Sequence, residues 1–239
     1  VLWSVLGAVV VNAQVGLKQI EMPSTVGAAY GYFASGTLWH HRDNVALPAE
    51  ESKALSKQQA ERWLANYDAG RVPELEMVPL ASLLVSLKRD EEGLALYDRR
   101  LAMTTLTTHE RAYTLGRLIS QFADAGNPAR MAIAKRYLPQ LVALNDSAAL
   151  VMYGAYKSVV QAHFAKGERD SVLVYSKAAL ELTPRVSFPE RKDATFFSNP
   201  NELPMLVMYA SAAAAEPDGK DKIQAMTEWV RPYTGAPQE

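Results

Sequence analysis

The sequence predicts an all-α protein, built as a solenoid of antiparallel helical hairpins. Apolar residues recur at helical spacing in successive segments, as in the four leucines of residues 80–87. Short polar links such as KRD, AGN and KGE join these segments, and short links force consecutive helices to lie antiparallel. Leu101, Leu141 and Leu180 recur about 40 residues apart, a spacing found in helical-hairpin repeats.

Composition narrows the possible classes of function. Of the 239 residues, 49% are hydrophobic and 21% are charged, so the chain can bury a core and is not of the disordered class. The formal net charge of -1 gives no overall attraction for nucleic acid, but it does not exclude a local basic patch. The absence of cysteine excludes disulfides, thiol catalysis and thiolate metal sites.

The first residues, VLWSVLGAVVVNAQ, predict an export signal. Residues 1–11 are mostly apolar, and signal peptides have an apolar region of about 7–15 residues, whereas a membrane-spanning helix needs about 20. Val11 and Ala13 are small residues suited to a cleavage site before Gln14. No Met or basic residue precedes them, so we interpret residues 1–13 as a signal-peptide remnant of a secreted or periplasmic protein. A membrane anchor and a buried strand or helix are the alternatives.

Glycine and proline divide the rest of the chain. They are frequent in residues 14–48, which we expect to form an irregular amino-terminal arm. This arm could contain one short helix near 26–33. A helical domain is expected at 49–234, with a long proline-containing loop at 185–201, followed by a tail or linker at 235–239.

Within this domain the pattern predicts nine helices. The first is expected to run to Gly70, a natural stop. The others are expected at roughly 74–87, 90–103, 108–125, 128–144, 147–166, 169–182, 202–215 and 218–231.

The segment from Tyr156 to Pro184 resembles one tetratricopeptide repeat. Gly167 falls at the turn between its two helices, and Ala179 and Leu180 fall on the second helix. Three usual positions differ, with Val160 in place of Gly, His163 in place of Tyr and Val172 in place of Ala. Two earlier segments resemble the repeat more loosely, one through Leu115 and Gly116 and the other through Gly93 and Tyr97.

The resemblance covers about 75–183, or from 49 at its widest, and implies stacked helix pairs but no particular reaction. Helices approach closely where one side chain is small and its neighbour is large. The expected small residues are Gly93, Gly116 and Ala179, and the expected large ones are Tyr97, Tyr156 and Tyr175.

The resemblance also implies a binding surface, because the first helix of each tetratricopeptide pair lines a groove. The positions that match it are Tyr113, Arg117 and Gln121 in the looser repeat and Lys157, Gln161 and Phe164 in the better one. These side chains could recognise the carboxylate or backbone of a peptide. A solvated helix face is the alternative, and the 185–200 loop could instead fill the groove.

Catalytic motifs are not found. His109 and Glu110 begin a near miss to the zinc-protease motif HExxH, but Tyr113 stands in place of the second histidine, so Glu110 is interpreted as a first-turn residue. His40 and His41 are adjacent, and adjacent side chains of an extended segment point to opposite faces, which argues against a shared metal. His163 is interpreted as an interior residue. We therefore expect no catalytic residue, cofactor or metal.

These observations favour an exported tetratricopeptide-like scaffold that binds a protein or peptide partner and is not an enzyme. No nucleic-acid partner is expected, and no membrane span after cleavage of the signal. The alternative is an accessory helical module of a larger envelope enzyme, for example a thioredoxin-like one, that continues beyond Glu239.

Overall fold

The structure is a computed structural model. It describes residues 41–42, 45–46, 48–65, 67, 72–144, 148–185 and 202–233. The predicted export signal at 1–13, the short helix near 26–33 and the tail at 235–239 lie outside these ranges. So do most of the predicted arm at 14–48 and of the loop at 185–201.

The described residues form nine α-helices, close to the predicted positions, and the all-α prediction is confirmed. Their bounds are α1 Ala49–Ala65, α2 Met77–Ser86, α3 Asp90–Leu101, α4 Thr108–Phe122, α5 Pro128–Val142, α6 Ala149–Ala165, α7 Arg169–Glu181, α8 Glu202–Ala213 and α9 Gly219–Val230. Helix α1 ends before the predicted stop at Gly70. Two short strands, β1 (His41–Arg42) and β2 (Val45–Ala46), pair antiparallel with His41 opposite Ala46.

The chain divides into two compact units, Val1–Arg100 and Leu101–Glu239. The first unit contains α1, α2 and all but the last residue of α3, and the second contains the helices from α4 to α9. The helical domain predicted at 49–234 therefore spans both units.

Helix α2 is the most buried helix described in the first unit, and its predicted leucine stripe is buried. Helix α3 packs against it at Gly93, where an added Cβ would lie 2.5 Å from Val85 Cγ2 and 2.9 Å from the Ala81 carbonyl oxygen. Close by, the hydroxyl oxygens of Ser82 and Tyr97 are 2.7 Å apart. The predicted small residue, Gly93, and the predicted large residue, Tyr97, thus both lie where α3 meets α2.

Helix α2 ends in a left-handed turn at Lys88, whose φ is 67°. The Lys88 N–H donates to the Val85 carbonyl (3.1 Å), and the Arg89 N–H donates to the Leu84 carbonyl (2.9 Å). These two hydrogen bonds are those of a Schellman motif, which satisfies the last carbonyl groups of a helix.

Helix α6 ends in the same turn, with Gly167 at φ 70° in the place of Lys88. The Gly167 N–H donates to the Phe164 carbonyl (3.0 Å), and the Glu168 N–H donates to the His163 carbonyl (3.1 Å). The turn predicted at Gly167 is confirmed, and the described part of each unit contains one copy of this helix end.

In the second unit, each helix from α6 onward packs on the next one along the chain, and α4 packs on both α5 and α6. Contacts between neighbours, and between next-but-one helices, are typical of stacked helical hairpins and give this unit a solenoid-like arrangement. Its core side chains include Leu118, Ile119 and Phe122 of α4, Leu141 of α5, Val159 and Val160 of α6, Ala179 and Leu180 of α7 and Met205 of α8.

Candidate binding face on helices α4 and α6

Helices α4 and α6 lie side by side in the second unit and run in the same direction. Gly116 of α4 abuts the side chain of Val151, with no room for a Cβ, and four residues later Ser120 Oγ lies 3.0 Å from Ser158 Oγ. Because the contacting positions increase together along both helices, the two helices are parallel.

This geometry turns the predicted positions of both helices to the same side. Arg117 comes one residue after the contact at Gly116, and Lys157 comes one residue before the contact at Ser158. One residue rotates a helix by about 100°. In two parallel helices, a step forward on one and a step back on the other point to the same side. Arg117 and Lys157 therefore share a face.

The other four predicted residues belong to the same face. Residues three, four or seven positions apart lie on one side of a helix. Tyr113 and Gln121 each lie four residues from Arg117, while Gln161 and Phe164 lie four and seven residues after Lys157. We call the surface formed by these six residues, together with Leu150 and Gly154, the α4–α6 face.

The α4–α6 face combines apolar and polar side chains outside the core. Tyr113 is 48% exposed, Phe164 46% and Leu150 47%, while Arg117 and Lys157 are partly buried. Leu150 and Gly154 were not predicted from the sequence. Both continue the stripe of Lys157 toward the start of α6, at seven and three residues before it, so their spacing could have identified them.

The two charged residues of the α4–α6 face, Arg117 and Lys157, are basic. Helix α6 contains no aspartate or glutamate, and α4 contains one acidic residue, Glu110. The Glu110 carboxylate accepts hydrogen bonds from the Thr107 N–H (2.9 Å) and the Thr107 hydroxyl (2.7 Å) in a capping box. The prediction that Glu110 is a first-turn helix residue is confirmed.

His163 lies in the interior, as predicted, with 2% of its surface exposed. Its Nδ1 is hydrogen bonded to the Glu168 carboxylate, and its ring stacks on Tyr175 with 5.7 Å between centroids. Among the described residues, Nε2 finds no hydrogen-bond partner. The Lys135 ammonium lies 5.6 Å from the centre of the Tyr175 ring, and burial raises the pKa of the Tyr175 hydroxyl. The cluster ties α5, α6 and α7 together.

Other candidates for chemistry are sparse in the described ranges. No group of three potential metal-ligating side chains comes together there. The backbone of His41 belongs to β1, and His40 lies outside the described residues. Within the same ranges, every helix is too short or too polar to cross a membrane.

Comparison with known proteins gives no relative from which a function could be transferred. No protein-family model, no curated protein and no solved structure matches the chain. The resemblance to tetratricopeptide repeats therefore rests on the sequence pattern alone and stays a prediction.

Proposed function

We propose that this protein is an exported, non-catalytic, tetratricopeptide-like scaffold that binds a peptide or an extended segment of a partner protein on the α4–α6 face. One observation carries the proposal. Parallel packing of α4 and α6 brings six side chains, chosen from two separate sequence segments, to one accessible surface.

The chemistry of the face suits an extended chain. Tyr113 and Phe164 offer half-exposed aromatic rings, which provide much of the binding energy in protein interfaces. Gln121 and Gln161 each carry an amide that both donates and accepts, so they can pair with the N–H and C=O groups of a main chain. Arg117 and Lys157 can pair with carboxylates.

A random peptide library, displayed on phage and selected on the purified protein, tests this proposal. We expect bound peptides whose affinity, measured by fluorescence polarisation, falls about tenfold or more in the double variant Tyr113→Ala, Phe164→Ala, because each truncation removes an aromatic contact.

The control variant is Val174→Ala, which removes a side chain of α7 that is 62% exposed and lies outside the face. It should bind the peptides like the wild type. Equal binding by the double variant would show that the face is not the binding site. A selection that recovers no peptide would overturn the proposed function.

A further inference from the structure

Gly154 is an exposed glycine within helix α6, and no steric contact requires it. A Cβ added at Gly154 would meet no atom of the described residues within 4 Å, and its backbone φ is not positive. Every other described glycine either has neighbouring atoms within that distance or, at Gly167, a φ of +70°. Glycine destabilises a helix interior relative to alanine. Helix α6 is therefore weakened at Gly154, and packing does not explain the glycine.

Helix α6 is open to solvent on the side of Gly154 and packed on the other side. Met152 and Val159 lie on the opposite side of the helix and are buried. Surface helices curve with their convex side toward solvent, because the carbonyl groups on that side tilt outward and their hydrogen bonds lengthen. In α6, such a curve would lengthen the hydrogen bond from the N–H of residue 158 to the Gly154 carbonyl.

The hydroxyl of Ser158 lies within hydrogen-bond distance of two acceptors. Its Oγ is 3.0 Å from Ser120 Oγ of α4 and 3.2 Å from the Gly154 carbonyl oxygen. A hydroxyl has one hydrogen, so Ser158 donates to one of the two at a time. A serine that donates to the carbonyl four residues earlier competes with the helical N–H and bends the helix.

We propose that Gly154 and Ser158 form a bend point, at which α6 changes between a straighter and a more curved form. In the straighter form the Ser158 hydroxyl donates to Ser120, and in the more curved form it donates to the Gly154 carbonyl. The second bond replaces what the lengthened N–H bond loses, so the number of hydrogen bonds is kept.

The bend point divides the part of the α4–α6 face that α6 supplies. Leu150 lies before it, next to the Val151 side chain that abuts Gly116, and Phe164 lies after it. Bending therefore changes the distance between Leu150 and Phe164 while the contact at Gly116 holds α6 on α4. The inference does not require the proposed function, and a failed peptide selection leaves it standing.

Hydrogen exchange of single amides, measured by NMR on the full chain, tests the bend point. The variants are Gly154→Ala, Ser158→Ala and the matched control Ser120→Ala. Both serine variants remove the same hydrogen bond between α4 and α6. Only Ser158→Ala also removes the hydroxyl from the Gly154 carbonyl.

In the wild type, we expect amides 155–158 to be about tenfold less protected than amides 160–163, because the helix opens locally at the bend. They should also be less protected than amides 153 and 154, whereas fraying from the helix start would weaken 153 and 154 most. Gly154→Ala should raise the protection of amides 155–158 about threefold or more and raise Tm by about 2–4 °C.

The two serine variants should act in opposite directions. Ser158→Ala should raise the protection of amides 155–158, because the competing hydroxyl is gone. Ser120→Ala should lower it or leave it unchanged, because the Ser158 hydroxyl then has only the Gly154 carbonyl to donate to. Lower protection in both serine variants would assign Ser158 to the contact with α4 alone and overturn the inference.

A distance measurement gives an independent check, since the chain contains no cysteine. Nitroxide labels on Leu150→Cys and Phe164→Cys, about 21 Å apart along a straight helix, report the bend by pulsed electron paramagnetic resonance. We expect a broad distance distribution that narrows when Gly154→Ala is added. A distribution of the same width with and without Gly154→Ala would refute the bend point, as would amides 155–158 that are protected as well as 160–163.

Discussion

At Gly116, the absence of a Cβ allows helices α4 and α6 to approach each other closely. The residue lies against Val151, and a methyl group there would overlap the valine side chain. Valine is branched at Cβ and has little rotamer freedom in a helix, so it cannot turn aside easily. The close approach of α4 and α6, and with it the α4–α6 face, depends on this glycine.

We expect Gly116→Ala to destabilise the protein by about 1–3 kcal/mol, because an overpacked contact forces the helices apart. Urea denaturation measures the change in the free energy of unfolding. In a Val151→Ala background, where the obstructing side chain is absent, Gly116→Ala should cost less. An equal cost in both backgrounds would contradict the assigned contact.

The sequence predicted that Gly93 and Gly116 lie where helices contact each other, because the repeat pattern has small residues at such positions. It did not identify Gly154 as unusual. That conclusion requires knowing that a Cβ added at this glycine would meet no atom of the described residues within 4 Å, which the sequence alone does not show. The hydrogen bonds that Arg111 donates to the carbonyl groups of Leu101 and Met103 were likewise not predictable from the sequence pattern.

At the scale of the element, the ends of α2 and α6 show the same turn made from different residues. Gly167 adopts its positive φ without steric cost, whereas Lys88 carries a Cβ that crowds the backbone in this conformation. The sequence predicted the turn at Gly167, since glycine is the usual residue there. Nothing in the lysine at position 88 indicated a left-handed conformation.

Lys88→Gly should therefore stabilise the protein by about 1 kcal/mol, and Gly167→Lys should destabilise it by a similar amount, because left-handed backbone favours glycine. Thermal unfolding followed by circular dichroism measures both changes. Lys166→Gly, one residue before the left-handed position of α6, is the control and should not stabilise the protein. Changes of the same sign at 88 and 167 would show that the two turns do not share one conformation.

At the scale of the whole molecule, local patterns were sufficient to place the helices. Periodicity and short links are properties of neighbouring residues, so they predicted the nine described helices to within a few residues. The division after Arg100 depends on contacts between residues distant in sequence, so the helical pattern did not predict it. The side shared by α4 and α6 was predicted only through the resemblance to a repeat.

Three tyrosines in the second unit should make its stability fall at alkaline pH. Burial raises the pKa of Tyr156, Tyr175 and Tyr209 above the ordinary value of 10.0. Neighbouring Tyr175 and Glu181 raise the pKa of Tyr156 further. The folded state keeps these hydroxyls protonated at a pH where the unfolded chain already releases its protons. Stability is therefore retained below about pH 9 and falls as the pH rises through 10.

We expect the urea midpoint to fall between about pH 9 and pH 11, and to fall less in the variant Tyr156→Phe, Tyr175→Phe, which cannot ionise at these positions. Tyr113→Phe, a change at an exposed tyrosine of the same unit, should retain the wild-type slope. The same slope in all three proteins would contradict the assignment.

The contact between Ser120 and Ser158 is a place where an engineered disulfide could fix the distance between α4 and α6. The two oxygens are 3.0 Å apart in a chain that contains no cysteine, so Ser120→Cys and Ser158→Cys would introduce a unique thiol pair at the helix junction. Oxidation would lock the junction and reduction would release it, in one and the same protein. A ligand that needs the helices to separate would distinguish the two forms, and a ligand that fits a preformed surface would not.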